Sequence, residues 1–364
     1  MKVHITLVGG QPAPVYNGII ATQPDKVVFI YSDESGDTAE RILDEVKIST
    51  ERRKFDPVDL VEIESKVLQC AKQFDDDEIS VNISSGTKPW AFYFAKIFGQ
   101  MPNATLFYVD QNNILWNLTD KSSRKVEFDM DAQFRLLGNP LDDYNLYDSL
   151  GADDQKVFGQ ITDLFAFNGA GMFRIIDEAR NHTNLTEWCL KNGSFLKWDK
   201  TAKQFVVNLV KGNTSKCETL KSTHVRNLLL HSGWFEYEVA SLLKKWDKAM
   251  EIRMNCLFPY QDSDTKNEID VIVATDSKLL FVECKTQIED NTDIDKFASA
   301  VRNYGGMGSK ALFVTNAKMS DKASEKCIDN GILTFSLQEE HLGLEPEKAL
   351  ALLLDSELFN INTK

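Results

Sequence analysis

Short apolar runs alternate with amphipathic segments along the first part of the chain. Runs rich in β-branched residues predict strands at residues 3–8, 27–31, 79–83, 105–109 and 114–117. Segments whose apolar residues recur with a helical period predict helices between them, at residues 14–22, 38–46, 60–74 and 91–98. Repeated strand–helix units are typical of a parallel sheet covered on both faces. Residues 1–140 are therefore predicted to form an α/β domain of Rossmann-like type.

The alternation loosens and then returns in the second half of the chain. Turn residues dominate positions 129–150, which predicts a linker. A small module follows, with predicted helices at 154–167 and 172–179 and a hairpin at 195–209. After residue 225 the pattern predicts a helix, two strands, and then alternating helices and strands. We therefore expect three parts: a Rossmann-like domain at 1–140, a linker and small connector module at 141–225, and a second α/β domain at 226–364.

The composition narrows the class of protein. A chain of 364 residues is long enough for two or three domains, and no apolar run approaches the length of a membrane span. The six cysteines are scattered without a C-x-x-C pair, which favours a reduced, cytoplasmic protein. The net charge of −14 argues against a broad electrostatic grip on nucleic acid. A polyanionic ligand must then meet a local positive patch or a metal ion.

Polar residues interrupt the apolar pattern of the hairpin predicted at 267–287. Asp270 lies in the first strand, and Glu283 and Lys285 close the second strand. Because Glu283 and Lys285 are two positions apart on a strand, their side chains point to the same face. Pairing of the two strands brings Asp270 to the same end. Two carboxylates and a lysine in one place suit a hard divalent cation, Mg²⁺ or Mn²⁺, and the hydrolysis of a phosphodiester.

This constellation resembles the PD-(D/E)xK superfamily, which has the restriction-endonuclease-like fold. Asp270 and the Glu283-x-Lys285 triplet match the motif, and Gln287 stands where many members carry a polar residue. Ile269 replaces the proline that usually precedes the aspartate. The resemblance implies a metal-dependent nuclease with Asp270, Glu283 and Lys285 as catalytic residues. It implies that the two carboxylates are metal ligands.

Members of that superfamily often add a glutamate from a helix that precedes the hairpin. Glu236 opens the amphipathic segment 235–246 and lies near the edge of its apolar face, so it is the favoured third catalytic residue and metal ligand. Glu238 is the competitor. Residues two apart on a helix are rotated by about 200°, so only one of the two can face the hairpin. Glu268 shares a strand face with Asp270 and is a candidate for a further ligand.

Two segments rich in small residues follow predicted strands of the first domain. Their glycines, hydroxyls and one lysine, placed before a helix, form a composition suited to phosphate. In parallel sheets such segments lie at the carboxyl edge, where ligands bind. The G-x-x-x-x-G-K-[ST] spacing of a P-loop is missing. The predicted ligand-binding residues are Gly10, Gln11, Pro12, Ser84, Ser85, Gly86, Thr87 and Lys88.

The GGQP and N-x-SSGTK segments resemble those of the CRISPR-associated Rossmann-like (CARF) sensor domain. Together with the nuclease-like hairpin, they make the chain similar to the type III CRISPR ancillary nucleases. The resemblance implies a homodimer that binds a cyclic oligoadenylate, with cyclic tetra-adenylate favoured, across its interface. It implies activated cleavage of DNA, RNA or both, single-stranded or by nicking, with little sequence specificity. Ser32, Asp33 and Glu34 are weaker candidates for contacts with the activator.

Two other functions remain open from the sequence. In one, the chain is a non-catalytic nucleotide sensor, and its second half is a degenerate nuclease that serves as an interaction module. In the other, the chain is a Rossmann-like enzyme that acts on a small molecule. Against the latter, no G-x-G-x-x-G follows the first strand. Metal-dependent cleavage of an oligonucleotide separates the nuclease from both.

Overall fold

The computed structural model describes the chain except residues 232, 261–262, 287–291, 307 and 362–364, and except the side chains of 260 and 263–266. The described residues form sheets of seven, four and six strands. None of the helices in these ranges is long and apolar enough to span a lipid bilayer. The predicted fold class, two α/β domains with a small module between them, is confirmed.

The seven-stranded sheet has the strand order β3-β2-β1-β4-β5-β6-β7. Its strands are β1 (Lys2–Leu7), β2 (Lys26–Tyr31), β3 (Ser49–Lys54), β4 (Glu78–Asn82), β5 (Ala104–Val109), β6 (Ile114–Asn117) and β7 (Ser123–Lys125). Its helices are α1 (Pro12–Thr22), α2 (Gly36–Glu45), α3 (Leu60–Gln73) and α4 (Lys88–Phe98). Strands β1 to β5 pair in parallel, and β6 and β7 are antiparallel additions. The strand order reverses between β1 and β4, which is where sheets of this kind bind ligands.

Strand β3, at the edge of this sheet, is not predicted by the apolar pattern. Its sequence is Ser-Thr-Glu-Arg-Arg-Lys, without an apolar residue, yet it pairs with β2 along its whole length. Glu51 forms ion pairs with Lys26 of β2 at 2.5 Å and with Arg53 at 2.6 Å. A charged edge strand discourages pairing with another chain. Such a strand leaves no signal in hydrophobic periodicity.

The segment predicted as a linker, residues 129–150, contains regular structure instead. Helix α5 (Met130–Leu136) begins after Asp129, whose carboxylate caps it by accepting a backbone N–H at 2.9 Å. Strand β8 (Asp143–Leu146) and a 3-10 turn at Tyr147–Ser149 follow. Strand β8 lies at the edge of the six-stranded sheet. Both elements are stabilised by packing on distant strands, so the turn-rich local sequence does not reveal them.

The connector module contains a long helix, a four-stranded antiparallel sheet and a short helix. Its elements are α6 (Ala152–Asn181), β9 (Glu187–Cys189), β10 (Phe195–Asp199), β11 (Gln204–Lys211), β12 (Thr214–Lys221) and α7 (Val225–Leu230). The sequence predicts two helices where α6 lies, and α6 has one non-helical residue, Asn168, near the predicted gap. The Asn168 amide donates to the Val210 carbonyl and accepts the Gly171 N–H, both at 3.0 Å. These bonds tie the break in α6 to the sheet.

The six-stranded sheet has the order β17-β16-β15-β14-β13-β8. Its remaining strands are β13 (Glu251–Tyr260), β14 (Ser263–Ala274), β15 (Leu279–Lys285), β16 (Lys310–Thr315) and β17 (Ile332–Ser336). Its helices are α8 (Gly233–Lys244), α9 (Thr292–Tyr304), α10 (Asp321–Asp329) and α11 (Pro346–Phe359). Helices α8 and α11 pack on one face, and α9 and α10 pack on the other. Strand β13 is absent from the sequence prediction, because polar residues and a proline interrupt its apolar positions.

Helix α5 connects the first sheet with the third. The Phe134 ring packs against the rings of Phe258 and Phe281 in the six-stranded sheet, with centroid distances of 5.2 and 6.2 Å. At the last residue of the helix, the carbonyl of Leu136 accepts the Nε–H of Arg41 from α2 at 2.8 Å. Helix α5 therefore belongs to the packing of both domains, and a movement of either domain acts on it.

We predict that Phe134→Ala lowers the free energy of unfolding by about 3–5 kcal/mol, because it leaves a cavity where the side chain is now fully buried. The neighbouring Arg135→Ala removes an ion pair with Glu45 from a side chain that is 44% exposed. It should cost less than about 1 kcal/mol. Urea unfolding curves of the two variants give the comparison. Equal losses would show that α5 does not depend on the buried Phe134 contacts.

Candidate functional site

The hairpin of β14 and β15 opens at the predicted carboxylates. The antiparallel pairing ends at Val271 and Val282, and the next residues along the two strands are Asp270 and Glu283. The Cys284 N–H, just beyond the end of the pairing, donates to Asp270 Oδ2 at 2.7 Å. Both carboxylates therefore lie at one end of the hairpin, as the sequence predicts.

Glu283 and Lys285 are held in place by β16 on the other side of β15. Glu283 lies opposite Phe313, and Lys285 lies opposite Thr315. Lys285 Nζ is 2.7 Å from Glu283 Oε1, which confirms that the two side chains share a face. The Glu283 side chain is 13% exposed and that of Lys285 is 34% exposed. The ion pair therefore lies at the border between the sheet and solvent.

Helix α8 brings a third carboxylate to this end of the sheet. Glu236 lies in its first turn and is only 7% exposed, and its charge raises the pKa of Asp270. Glu238 is half-buried, and the pKa of its carboxyl is raised by burial alone. The structure therefore brings Glu236, and not Glu238, next to the hairpin. Spacing in the sequence could not separate the two.

Asn255 is a residue of this site that the sequence analysis missed. Its Nδ2 donates to Glu236 Oε2 at 2.7 Å and lies 3.5 Å from an oxygen of Glu268. Its backbone is left-handed, with φ of +51°, in the middle of strand β13. Asparagine adopts this conformation more readily than most residues, but the signal is useful only once β13 is known. Of the remaining candidates, Glu268 is exposed, and Gln287 lies outside the described residues.

The side chains of strand β13 switch from one face of the sheet to the other at Asn255. Pairing of β13 with β14 has the same register before and after this point but skips the pair of Asn255 with Asp270. Ile252, before the skipped pair, packs in the core under α8, and Phe258, after it, packs in the core under α9. The pairing of β13 with β8 shifts its register between Met254 and Leu257, an irregularity of the kind that re-aims side chains next to functional sites. Here it turns the Asn255 amide toward Glu236.

Burial and mutual repulsion raise the pKa values of all three carboxylates. Burial, reinforced by neighbouring carboxylates, raises the pKa of Glu236 to about 7. Burial, followed by the charges of Glu283 and Glu236, raises the pKa of Asp270 well above its usual value. Burial raises the pKa of Glu283 although Lys285 opposes it. Burial also opposes the charge of Lys285, but Glu283 and Asp270 outweigh it and raise the pKa of the ammonium group. The positive charge of Lys285 alone therefore does not offset the crowding of the three carboxylates.

The chemistry of these donors fits a hard divalent cation. Carboxylate oxygens are the ligands that Mg²⁺ and Mn²⁺ prefer, and a cation would offset the repulsion among them. Within the described parts of the chain, no three His, Cys, Asp or Glu side chains are already arranged to bind a metal ion. Glu283 is turned to Lys285, and Glu236 is turned to Asn255. The residues that would hold the cation are Asp270, Glu283 and Glu236.

The two predicted ligand segments meet at the carboxyl edge of the first sheet. They follow β1 and β4, which are neighbours in the sheet at the point where the strand order reverses. The Gly9 N–H donates to Ser85 Oγ at 3.1 Å, and the Ser85 hydroxyl donates to the Gln11 carbonyl at 3.4 Å. A Cβ on Gly9 would lie 2.8 Å from the Gly86 nitrogen, and Gly86 itself has φ of +81°. The close approach of the two segments therefore requires glycine at both positions.

Helices α1 and α4 begin at these segments. Pro12 is the first residue of α1, and Thr87 caps α4 by accepting a backbone N–H at 3.4 Å. Lys88 is exposed in the first turn of α4, and Gly10 is exposed at the end of the first segment. The Ser84 hydroxyl accepts the N–H of the last residue of β5 at 2.6 Å, so this side chain also holds the fold together. Two helix N-termini and one lysine thus face a shared edge, which favours an anion.

The weaker candidates after β2 lie beside the first segment. Ser32 is buried and begins a 3-10 turn, while Asp33 and Glu34 are exposed. Asp33 forms an ion pair with Lys54 at 2.6 Å. The paired carboxylate is a poor partner for an anionic ligand, so Ser32 is the better candidate of the three.

We predict that Glu236→Gln raises the stability of the metal-free chain by about 1 kcal/mol at mildly alkaline pH. The folded-state pKa of Glu236 is about 7 against an ordinary 4.5, so ionisation costs folding free energy as pH rises through this range and the full cost is present above it. Glutamine can still accept the Asn255 bond. The measurement is thermal unfolding in a chelator across pH.

The exposed Glu325→Gln on α10 serves as the control and should change stability by less than about 0.5 kcal/mol at any pH. A Glu236→Gln variant that is less stable than the wild type under alkaline conditions would show that the carboxylates are not crowded.

Comparisons of the structure with solved structures support the fold over nearly the whole chain. Can2 from Sulfobacillus thermosulfidooxidans, in complex with cyclic tetra-adenylate, matches with a TM-score of 0.70 and 17% identity over 98% of this chain and 99% of its own. Protein VC1899 from Vibrio cholerae matches with a TM-score of 0.71 and 16% identity over 92% and 94%. A type III CRISPR defence DNA nuclease activated by cyclic oligoadenylate matches with a TM-score of 0.58 and 16% identity over 96% of this chain but 51% of its own. At these identities the likeness is one of fold.

Sequence models of known domains match both ends of the chain. The model of the Card1 CARF domain matches residues 3–136, and the model of the Card1-like endonuclease domain matches residues 223–333. No curated protein matches the sequence. The two resemblances found in the sequence, one at the glycine-rich segments and one at the hairpin, are confirmed. The chain therefore joins a CARF domain of the Card1 type to a Card1-like endonuclease domain that follows it.

Proposed function

We propose that this protein is a nuclease that depends on Mg²⁺ or Mn²⁺ and is activated by a cyclic oligoadenylate bound to its CARF domain. The observation that carries the proposal is the meeting of Asp270, Glu283 and Glu236 beside Lys285 in the endonuclease domain. A metal held there would supply Lewis acidity at a scissile phosphate. The substrate is a nucleic acid, DNA or RNA or both.

Each residue of the site has a defined part in this proposal. Asp270, fixed by the Cys284 N–H, and Glu283 would hold the cation, and Glu236 would supply a further oxygen ligand. Lys285 keeps its proton, since its pKa is raised by Glu283 and Asp270 despite burial. It therefore offers a positive charge to the phosphate as negative charge develops there. Asn255 orients Glu236 through its amide.

The activator is proposed from the sensor edge and from the relatives. Two glycine-rich segments, two helix N-termini and Lys88 suit a ligand with several phosphates. The related Can2 structure contains cyclic tetra-adenylate, which makes this ring the favoured activator. A homodimer would place two such edges around one symmetric ligand, as closed two-fold assembly allows.

Helix α5 is the proposed route from the sensor to the nuclease. It is bonded to α2 through Arg41 and packed on the nuclease sheet through Phe134. Strand β13, which carries Asn255, contains Arg253, whose guanidinium is paired with Asp131 of α5 at 2.5 Å. A shift of α5 would therefore act on the strand that orients Glu236. The activator can drive such a shift only if it binds one arrangement more tightly than the other.

We predict that Asp270→Asn and Glu236→Gln each lower the cleavage rate of a labelled oligonucleotide by more than about 100-fold. Loss of a partner behind a metal ligand already costs 10–100-fold, so loss of a ligand should cost more. Lys285→Ala should lower the turnover more than the affinity for Mn²⁺, because an ammonium group cannot bind a cation.

Glu238→Gln is the matched control on the same helix and should keep most of the activity. If Glu238→Gln and Glu236→Gln lose activity equally, the assignment of the helix carboxylate is wrong. If the wild type fails to cut with either metal and activator present, the chain is a sensor with a degenerate nuclease domain.

We predict that Lys88→Ala, alone and with Thr87→Ala, raises the concentration of cyclic tetra-adenylate needed for half-maximal cleavage by about 10-fold or more. The rate at saturating activator should recover, because the variants leave the nuclease site intact. The single variant spares the α4 cap that Thr87 provides. Lys72→Ala, at an exposed position of α3, is the control. An unchanged activation curve for both Lys88 variants would remove this edge from the activator site.

A further inference from the structure

The connector module is the basic part of an acidic chain. Residues 152–231 contain eight lysines and three arginines against five aspartates and three glutamates, a net charge of +3, whereas the whole chain carries −14. Most of the excess lies in the sheet, where residues 195–221 contain six lysines against one aspartate and one glutamate. Acidic surfaces elsewhere repel a polyanion, so this module is the part of the chain suited to attract one.

A cleft between helix α6 and the sheet of the module collects three of these lysines. Its volume is about 500 Å³, and Lys156 of α6, Lys203 of the β10–β11 turn and Lys221 at the end of β12 line it. All three side chains are exposed. Gln160 and neighbouring hydroxyl groups complete its walls, and Asp153 is the single acid among the lining residues. We call this feature the basic cleft.

The charges of the basic cleft are available to a ligand. Lys156, Lys203 and Lys221 form no ion pair among the residues that the structure describes, whereas nearby Lys216 is paired with Asp163 at 3.2 Å. Three unpaired ammonium groups around one cleft repel one another, and an anion between them would relieve that repulsion. The cleft therefore has the charge and the shape of a site for a chain of phosphates.

Helix α6, which lines the basic cleft with one face, packs against the helix of the active site with another face. Phe158, two residues after Lys156 on α6 and so rotated by about 200° from it, contacts Tyr237 of α8 with a ring centroid distance of 4.7 Å. Tyr237 is the residue next to Glu236. A strand held in the cleft would therefore lie on the opposite side of α6 from α8, the helix that carries one of the three carboxylates.

We propose that the basic cleft binds the phosphodiester backbone of the nucleic-acid substrate, with helix α6 between the bound strand and helix α8. This inference rests on the proposed nuclease function. Lysines act as mobile point charges and contact phosphates without reading bases, which suits cleavage with little sequence specificity. The basic cleft would also explain how a chain with a net charge of −14 binds a polyanion.

The test measures binding separately from cleavage. A Lys156→Gln, Lys203→Gln, Lys221→Gln variant of the full chain is titrated into a short, fluorescently labelled single-stranded oligonucleotide. The titration contains a chelator, so no cleavage occurs, and it is repeated at several salt concentrations. The dissociation constant should rise about 10-fold or more. The salt slope of the binding constant should fall in magnitude by about 2, since each lost phosphate contact on a single strand removes about 0.7.

A second triple variant, Lys47→Gln, Lys72→Gln, Lys348→Gln, removes the same charge at exposed positions outside the module. It should bind as the wild type does, and both variants should keep the wild-type unfolding temperature. If the two triple variants bind the oligonucleotide equally weakly, binding depends only on net charge, and the proposal for the cleft is wrong. If the wild type cuts DNA or RNA and the cleft variant binds the oligonucleotide as tightly as the wild type, the proposal for the cleft is wrong and the nuclease function stands. A wild type that neither binds nor cuts would overturn the nuclease function and the cleft with it.

Discussion

Crowding of like charge at one end of the six-stranded sheet is the constraint on which the rest of the site depends. Asp270, Glu283 and Glu236 share a partly buried space with one lysine, and the pKa of each carboxyl is raised. Holding these groups together costs folding free energy, which the apolar packing on both faces of the sheet must offset. A cation would remove the cost, and this links the stability of the site to its proposed chemistry.

The backbone is irregular where this charge is held. The pairing of strands β14 and β15 ends at the carboxylates, and the Asp270 side chain accepts a hydrogen bond from the backbone N–H of Cys284. One strand further along the sheet, Asn255 breaks the pairing and turns its amide toward Glu236. On the opposite side, regular pairing with β16 keeps Glu283 and Lys285 in register. Rigid strands on one side and an irregular strand on the other position the same group of side chains.

In the sensor domain, the backbone at the sheet edge is crowded, and glycines without side chains make the close packing possible. Its two glycine-rich segments approach so closely that a Cβ on Gly9 would lie 2.8 Å from the backbone of Gly86. Backbone N–H groups and helix N-termini can then face the sheet edge where the strand order reverses. Short helix α5 belongs to the packing of this domain and of the nuclease sheet, so neither can move without acting on it.

The sequence predicts features that depend on local periodicity and misses those that depend on distant partners. The shared face of Glu283 and Lys285 follows from their spacing on a strand. The choice between Glu236 and Glu238 depends on the rotation of α8 against the sheet, which no local pattern records. Helix α5 and strand β8 are stabilised by packing or pairing far along the chain. Strand β3 has no apolar residue, and polar residues and a proline interrupt the apolar positions of β13. Asn255 escapes notice because its role requires β13 to be known first.

The most direct test of the account compares the wild-type chain in four conditions. A labelled oligonucleotide, as DNA and as RNA, is incubated with or without Mn²⁺ and with or without cyclic tetra-adenylate. We expect cleavage only when metal and cyclic nucleotide are both present, because the carboxylates need the cation and the sensor needs its ligand. Equal cleavage with and without cyclic tetra-adenylate and cyclic hexa-adenylate would contradict control by the sensor. Cleavage in a chelator would contradict the metal site.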